Sequence, residues 1–300
     1  MRWRGQPRWC AFWMMREMAI LSASNTPKRK EEWKSVTEES HPTKYTIQGF
    51  NAGTFWVPRP EVYWMQGWGE REEMNLIIFL VQGGGKNILI NTGPPGDLSI
   101  MNKAWLDFFG FDEAQIVRAE EQRPEQILKS KGLRPEDIDL VIVTPLQAYA
   151  TANIHLFRNA QICISRKGWI EDFQAPYYHL HVPRHMRIPP EVNNFLQNEG
   201  WEHLRLLSDE EEVSPGIRTF WAGVHHRSSI AICIETEKGT ALVTDSFFKY
   251  GNLEGGHYLG VMESMMEADA TWKRIKQESS LIASIYDPEF FKRFPGGVLA

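Results

Sequence analysis

The sequence has little cysteine, no excess of positive charge and no long apolar run. Its three cysteines, Cys10, Cys163 and Cys233, lie far apart and form no CxxC pair, so we expect small buried thiols in a reducing compartment. The formal net charge is −5, so no overall basic field attracts nucleic acid or an anionic membrane. No stretch approaches the ~20 apolar residues of a membrane-spanning helix. These absences predict a cytoplasmic protein without a nucleic-acid or membrane partner.

The N-terminal part of the chain differs in composition from the rest. The 300 residues are 42% hydrophobic and 24% charged, which is ordinary for a globular protein with a sizeable core. Residues 1–18 carry arginines and tryptophans, but they do not predict a signal peptide because their apolar run is short. Residues 22–45 are rich in Ser, Thr, Lys and Glu. We expect residues 1–44 to be a mobile extension or a partly mis-assigned start, and residues 45–300 to form one domain.

The order of elements in this domain predicts an α+β fold. Residues 45–57 suggest a short hairpin, and two apolar runs around three glycines in 75–93 predict a second one. Residues 103–131 are expected to be mostly helical. The consecutive apolar residues in 139–143 predict a buried strand. Apolar residues at spacings of three and four in 261–275 predict a late helix. Together these elements predict two sheets between helical layers, a four-layer αββα sandwich.

The polar loop in residues 143–157, VTPLQAYATANIHLF, lies between two apolar runs. Loops at this place in α/β enzymes often carry the chemistry. Pro145, Gln147, Tyr149 and Ala150 offer no good acid, base or metal ligand at neutral pH. The loop therefore marks a candidate active site whose side chains are unusual for catalysis.

Five segments of the sequence carry recognisable motifs, namely NLIIFLVQGGGKNILINTGPPGD, LRPEDIDLVIVT, NIHLFRNAQICISRKGW, GVHHRSSIAICIETEKGTALVTDSFF and SIYDPEFFKRFPGG. Together they resemble the metallo-β-lactamase superfamily, and specifically its lactonase-like branch. The segments follow the family's order and spacing over residues 45–297. The resemblance implies the αββα fold and a hydrolase-like ancestry.

The resemblance also locates the family's metal loop. Family members bind one or two zinc or iron ions through an H-x-H-x-D-H loop, a later histidine, an aspartate and a final histidine. The four loop positions fall on Pro145, Gln147, Tyr149 and Ala150, and the supporting aspartate of the D-T-G motif is Asn91. Proline and alanine have no side-chain ligand atom, a glutamine amide is a weak ligand, and a phenol must lose its proton to bind. The loop has lost the family's ligands.

Of the family's three metal-ligand positions after this loop, only two still carry a residue that can bind a metal well. The histidine falls on His225, the aspartate on Asp245, and the final histidine on Tyr286. Catalytic zinc usually has three protein ligands, so the first two residues alone do not hold it tightly. We expect no cofactor; the alternative is a single zinc, iron or manganese held by His225, Asp245 and His257, or by Glu263 in place of His257.

The same positions supply the candidate catalytic residues. We expect His225 to act as a general base near neutral pH and Asp245 to orient it. Tyr149 and Tyr286 are expected to donate hydrogen bonds to a carbonyl or an oxyanion. Each residue also has a structural alternative. His225 is then a histidine left from a lost metal site, and Asp245 is a carboxylate that only accepts hydrogen bonds. The two phenols then fill the vacated metal cavity.

Further residues are candidates for substrate binding. They are Gln147, His226, His179, His181, Trp64 and Trp68. The two histidines of the H-x-H pair, with His185, could instead bind a metal. The tryptophans belong to an aromatic cluster that is expected at the mouth of the cleft, with core packing or a homodimer contact as the alternative.

The leading hypothesis is a hydrolase-like or lyase-like enzyme with a degenerate metal site, which acts on a small, aromatic or lactone-like molecule by metal-independent acid/base chemistry. One alternative is a hydrolase or lactonase with a single remodelled metal. The other is a non-catalytic binding protein whose cleft is closed by Tyr149 and Tyr286.

Overall fold

The computed structural model describes residues 43–174 and 183–300. The extension predicted for residues 1–44 lies almost entirely outside the described residues, as do the candidate substrate-binding residues His179 and His181.

The first sheet has six strands in sequential order. They are β1 (Thr46–Pro58), β2 (Arg71–Gly83), β3 (Lys86–Ile90), β4 (Leu140–Val143), β5 (Gln161–Ser165) and β6 (Leu204–Leu207). Strands β1 to β3 pair antiparallel and β3 to β6 pair parallel. The predicted hairpin in 75–93 is confirmed as β2 and β3. The hairpin predicted for 45–57 is wrong, because these residues form one strand with a bulge between Asn51 and Thr54.

The second sheet has five strands in the order β11-β10-β9-β8-β7. They are β7 (Glu210–Ser214), β8 (Ile217–Trp221), β9 (Ile230–Thr236), β10 (Gly239–Thr244) and β11 (Leu281–Ser284). Strands β7, β8, β9 and β10 pair antiparallel in sequential order, and the connection between β8 and β9 is the longest of the three. Strand β11 pairs parallel to β10, which requires a long crossover between the two strands.

Nine α-helical segments connect and flank the strands within the described ranges. They are α1 (Arg59–Val62), α2 (Ser99–Phe109), α3 (Pro124–Ser130), α4 (Ala148–Thr151), α5 (Arg166–Gly168), α6 (Pro190–Gln197), α7 (Tyr250–Gly255), α8 (Met265–Glu278) and α9 (Phe290–Arg293). Helix α5 continues into a π-helix over Trp169–Gln174. The stretch 103–131 is α-helical at its two ends, and 3-10 turns at Asp112–Ala114 and Glu120–Gln122 lie between them. In the part of the chain that the structure describes, no helix is long and apolar enough to cross a membrane.

The side chains of β2 show how the layers pack. Ile77 and Phe79 belong to a core cluster that also contains Ile232 of the second sheet. Ile78 and Leu80 point to the opposite face, into a cluster with buried residues of α3 and α6. Alternating side chains of a strand point to opposite faces, and each fully buried aliphatic side chain stabilises the fold by about 1.5–3 kcal/mol. The first sheet is therefore covered on both faces, and the predicted αββα sandwich is confirmed.

Helix α8 covers the second sheet and provides the crossover to β11. Ser264 accepts a hydrogen bond from the backbone N–H of Glu267 and so caps its first turn. Ala268, Trp272 and Ile275 are buried in the cluster between the layers. The carboxyl ends of β3, β4, β10 and β11 consequently carry the loops that form the candidate site.

Candidate functional site

Asn91, directly after β3, holds the loop that follows β4. Its Oδ1 accepts a hydrogen bond from the Thr144 N–H at 2.8 Å, and its Nδ2 donates to the Thr144 carbonyl at 2.7 Å. The residue has a φ of 62°, a left-handed conformation that asparagine tolerates better than most residues. Asn91 thus fixes both backbone groups of one loop residue through its amide, without a metal.

The neighbouring residues fix the rest of this loop. Thr92 donates from both its N–H and its hydroxyl to the Ala150 carbonyl, each at 2.8 Å. The Leu146 N–H donates to Ser228 Oγ of the β8–β9 turn at 3.0 Å. These contacts place Gln147 and Tyr149 on the wall of a cavity.

Asp245 follows β10 and lies beside His225. Its Oδ1 accepts the Thr144 hydroxyl and its Oδ2 the Ser229 hydroxyl, both at 2.5 Å. His225 Nδ1 lies 3.4 Å from Asp245 Oδ2. A carboxylate at this distance favours a proton on Nδ1, which leaves Nε2 as the proton acceptor. The carboxylate is completely buried, so its two hydroxyl donors compensate part of its desolvation.

The hydroxyls of Tyr149 and Tyr286 contact each other close to His225. Their hydroxyls share a hydrogen bond of 2.8 Å, and Tyr286 Oη lies 3.5 Å from His225 Nδ1. Burial raises the pKa of both phenols well above the usual value for tyrosine. Both therefore stay protonated at neutral pH. Their shared hydrogen bond uses one of the two phenolic protons, so the other can be donated to an oxygen of a ligand.

These groups line a cavity of about 460 Å³. Gln147, Tyr149, His225, His226 and Tyr286 are part of its wall. Gln147 Nε2 lies 3.2 Å from His226 Nε2. The structure thus brings together five residues that the sequence predicted for catalysis or substrate binding.

The apolar wall of the cavity comes from other residues than those predicted. Its aromatic and methionine side chains are Phe55, Met74, Trp105, Phe108, Phe109, Met186, Phe248 and Met262. Trp64 and Trp68 are not among the residues that line this cavity, and their side chains are 48% and 71% exposed. Phe55 of the same aromatic cluster does line it, and substrate binding by the two tryptophans stays a prediction.

His257 also lies elsewhere than predicted. It is exposed, and its Nδ1 is 3.3 Å from Gln66 Nε2. It is not among the residues that line the cavity with His225. The predicted ligand set with His257 is therefore not assembled here, because the chain after α7 directs this side chain to the surface.

Three charged residues near the cavity, Glu61, Arg187 and Asp172, were missed from the sequence, whereas Glu263 was already named there as an alternative metal ligand. Glu61 lines the wall, and burial raises the pKa of its carboxyl to about 7. Arg187 and Glu263 also line it, and the buried Asp172 lies 3.7 Å from Arg187. No sequence pattern marks the three that were missed, because each comes from an irregular or short segment whose burial depends on distant elements.

The family's dinuclear metal centre does not fit the residues present. The phenols of Tyr149 and Tyr286 are protonated and bond to each other. Both oxygens of Asp245 already accept hydroxyl protons. A different group offers three ligand atoms within 4.8 Å of one another, namely those of Asp172, His226 and Glu263. That group could hold one ion.

No family model matches this chain, but curated relatives do. An N-acyl homoserine lactonase of Bacillus thuringiensis is 28% identical over 173 residues, which are 56% of this chain and 62% of the relative. The match therefore spans less than two thirds of that relative's length. An N-acyl homoserine lactonase of a Bacillus species is 26% identical over 215 residues, 70% of this chain and 78% of the relative.

Solved structures with the same architecture extend over most of the chain. An N-acyl homoserine lactone hydrolase with N-hexanoyl-L-homoserine at its catalytic metal centre has a TM-score of 0.67 and 23% identity, covering 85% of this chain and 99% of the other. AidC, a dizinc quorum-quenching lactonase, has a TM-score of 0.59 and 16% identity over 86% and 90%. The hydrolase AbOPH of the beta-lactamase superfamily has a TM-score of 0.60 and 14% identity over 85% and 89%. The chain therefore has the metallo-β-lactamase fold, and its resemblance to the lactonase-like branch of that superfamily is confirmed.

Proposed function

We propose that this protein is a hydrolase-like enzyme that acts on a small aromatic or lactone-like molecule by acid/base chemistry of its own side chains. The observation that carries the proposal is the connected set of Asp245, His225, Tyr286 and Tyr149. Consecutive members are 3.4, 3.5 and 2.8 Å apart, and three of them line the cavity of about 460 Å³. The lactonase names of the relatives support hydrolysis of an ester-like bond.

The geometry supports a simple division of roles. Asp245 keeps a proton on His225 Nδ1, so Nε2 can take a proton from water as that water attacks the carbonyl carbon. The free phenolic proton of the tyrosine pair hydrogen-bonds to the carbonyl oxygen as negative charge develops there. The imidazolium then returns its proton to the leaving alkoxide. The products are a carboxylic acid and an alcohol, or one hydroxy acid from a lactone.

The other cavity residues position the substrate. Gln147 and His226 contact each other and can hold a polar group beside the reacting carbonyl. The aromatic wall, including Trp105 and Phe109, fits an apolar substituent. We also propose that His179 and His181 bind the substrate. Only the sequence supports this role, because both residues lie outside the described ranges.

The decisive experiment measures hydrolysis of a panel of acyl lactones and aryl esters by the purified chain. We expect His225→Ala to lower kcat/KM about 10³-fold and Tyr286→Phe about 10- to 100-fold, because each removes a group that acts on the reacting atoms. A chelator added before the assay should leave the rate unchanged. If both variants keep the wild-type rate on a substrate that the wild type hydrolyses, the mechanism is wrong.

A hydrolase with a single remodelled metal is the second candidate, and the ligand atoms of Asp172, His226 and Glu263 favour it. Elemental analysis of protein purified without added metal separates the two candidates. About one equivalent of zinc, iron or manganese, lost in Glu263→Gln, would support the metal enzyme. The third hypothesis, a protein whose cleft is packed shut, loses its motivation because His225 borders a cavity.

A further inference from the structure

Glu61 is a half-buried carboxylate on the wall of the cavity. It lies in α1, which follows directly on β1, and β1 contributes Phe55 to the same wall. The Glu61 carbonyl accepts the N–H groups of Gly260 at 2.9 Å and of Val261 at 3.3 Å. A side chain at Gly260 would collide with α1, because a Cβ there would lie 1.8 Å from the Pro60 carbonyl oxygen. The backbone that carries Glu61 is therefore packed tightly against another segment of the cavity wall.

The carboxylate of Glu61 has no ion pair or hydrogen bond with the residues that the structure describes. The nearest basic residue along the chain, Arg59, pairs instead with Glu72 at 2.6 Å and with Glu70 at 3.4 Å. Burial alone raises the pKa of the Glu61 carboxyl to about 7, as expected for a carboxyl among apolar groups without a cation beside it. A positive charge next to this group would stabilise its ionised form.

The rest of the described wall offers a ligand no lysine or arginine charge. Arg187 is the one lysine or arginine among the described lining residues. Its three guanidinium nitrogens are buried, and Asp172 lies 3.7 Å from one of them. The second carboxylate of the wall belongs to Glu263, which is exposed. A ligand in the cavity therefore meets carboxylates, whereas the guanidinium that would attract an anion is out of its reach.

Aromatic rings form a continuous row from β1 to the residues around His225. The ring centroids of Phe55 and Trp105 are 4.6 Å apart, and those of Trp105 and Tyr149 are 6.1 Å apart. Tyr149 in turn shares its hydrogen bond with Tyr286. Aromatic faces attract cations as well as apolar groups. This wall therefore opposes a positively charged ligand less than an aliphatic wall would.

We propose that the cavity binds a molecule with a primary ammonium group, which Glu61 holds, and an apolar or aromatic body, which lies along the aromatic wall. An ammonium group has three N–H donors and forms charge-assisted hydrogen bonds with a carboxylate. With the proposed function, on which this extension rests, the substrate is an ester or a lactone that carries an amine away from the reacting carbonyl.

Three probes with similar skeletons and different charges test this preference. They are 4-phenylbutylamine, 4-phenylbutan-1-ol and 4-phenylbutanoate, which are cationic, neutral and anionic at pH 8. Glu61, with its pKa of about 7, is mostly ionised at this pH. Isothermal titration of the full chain should show the amine binding at least about 10-fold more tightly than the alcohol, and the acid binding most weakly. An amine that binds no more tightly than the alcohol or the acid, or no binding of any probe, overturns the proposal.

One substitution locates the preference. Glu61→Gln keeps the size of the side chain and removes its charge, so it should abolish the preference for the amine while the alcohol binds within a few-fold of the wild type. Glu121→Gln is the matched control, because Glu121 is exposed and lies outside the described cavity lining; it should keep the preference. A preference that survives Glu61→Gln, or that is lost instead in Glu263→Gln, overturns the role of Glu61. The ranking of the three probes by the wild type does not depend on the folding of any variant.

Binding of the amine and hydrolysis can fail separately. None of the three probes has a bond that the proposed reaction breaks, so a failure of ester and lactone hydrolysis would leave a measured amine preference standing. Hydrolysis of neutral lactones by a wild-type chain without any amine preference would contradict the role of Glu61 and leave the proposed function intact.

Discussion

The buried polar groups on the two sides of the cavity differ in how far they are hydrogen-bonded. Around His225, Asp245 accepts two hydroxyl protons and the two phenols share a hydrogen bond. On the other side, the guanidinium of Arg187 has no hydrogen-bond partner among the described residues. A satisfied network stabilises one arrangement, whereas a buried charge without hydrogen bonds costs stability. The first side is therefore a satisfied hydrogen-bond network, whereas the second keeps a buried charged group without a hydrogen bond to the described residues.

Removing the central acceptor of the satisfied side should have the largest effect. Asp245→Ala leaves the hydroxyls of Thr144 and Ser229 without their buried acceptor, so we expect a loss of about 3 kcal/mol in the free energy of unfolding. Urea denaturation measures it. Asp287→Ala is the control, because Asp287 is also buried and accepts from the Tyr250 N–H. Both variants should lose stability, but only Asp245→Ala should also remove activity; equal activity losses would contradict the assigned role.

Glu61, on the wall of the cavity, should make the stability of the folded chain depend on pH. Its carboxyl has a pKa of about 7 in the folded chain against 4.5 as the ordinary value. The unfolded chain therefore releases this proton first, and the contribution of Glu61 to stability is present below pH 4.5 and lost as the pH rises through 7. Glu61→Gln should be about 2 kcal/mol more stable than the wild type at pH 8 and equal to it at pH 4.

Thermal unfolding at the two pH values measures this difference. Glu121→Gln, at an exposed position, serves as the control and should show no such gain at pH 8. A Glu61→Gln variant whose advantage is the same at both pH values would show that ionisation of this carboxyl is not the cause.

The phenol pair should show the smallest change in stability. Tyr286→Phe removes the shared hydrogen bond with Tyr149, at an expected cost of about 1 kcal/mol, while activity falls as stated above. Tyr250→Phe is the matched control, since its hydroxyl donates to the Ile282 carbonyl at 3.0 Å and lies outside the cavity lining. Differential scanning calorimetry should give similar losses for both. A large activity loss in Tyr250→Phe as well would indicate a general structural effect.

Local patterns predicted the fold better than the site. The apolar runs in 75–93 and 139–143 predicted strands, because the pattern of apolar residues that marks a strand is contained in a few neighbouring positions. The stretch 103–131 contains two α-helices and two 3-10 turns, and what its local pattern did not predict is the break between them, where Val117 pairs with Thr54 of β1. Trp64 and Trp68 lie outside the lining of the cavity, a placement that the sequence could not give because bulk and aromaticity do not say which face of the fold a side chain occupies.

The sequence by itself determined the order of the segments and their resemblance to the metallo-β-lactamase superfamily, which places Pro145, Gln147, Tyr149 and Ala150 at the positions of the family's metal loop. Only the tertiary structure decided which polar groups meet. Thr144 and Asp245 are 101 positions apart and yet 2.5 Å distant, and Arg187 is buried by elements from both halves of the chain. Such contacts depend on how two sheets pack, and packing is a property of the whole fold.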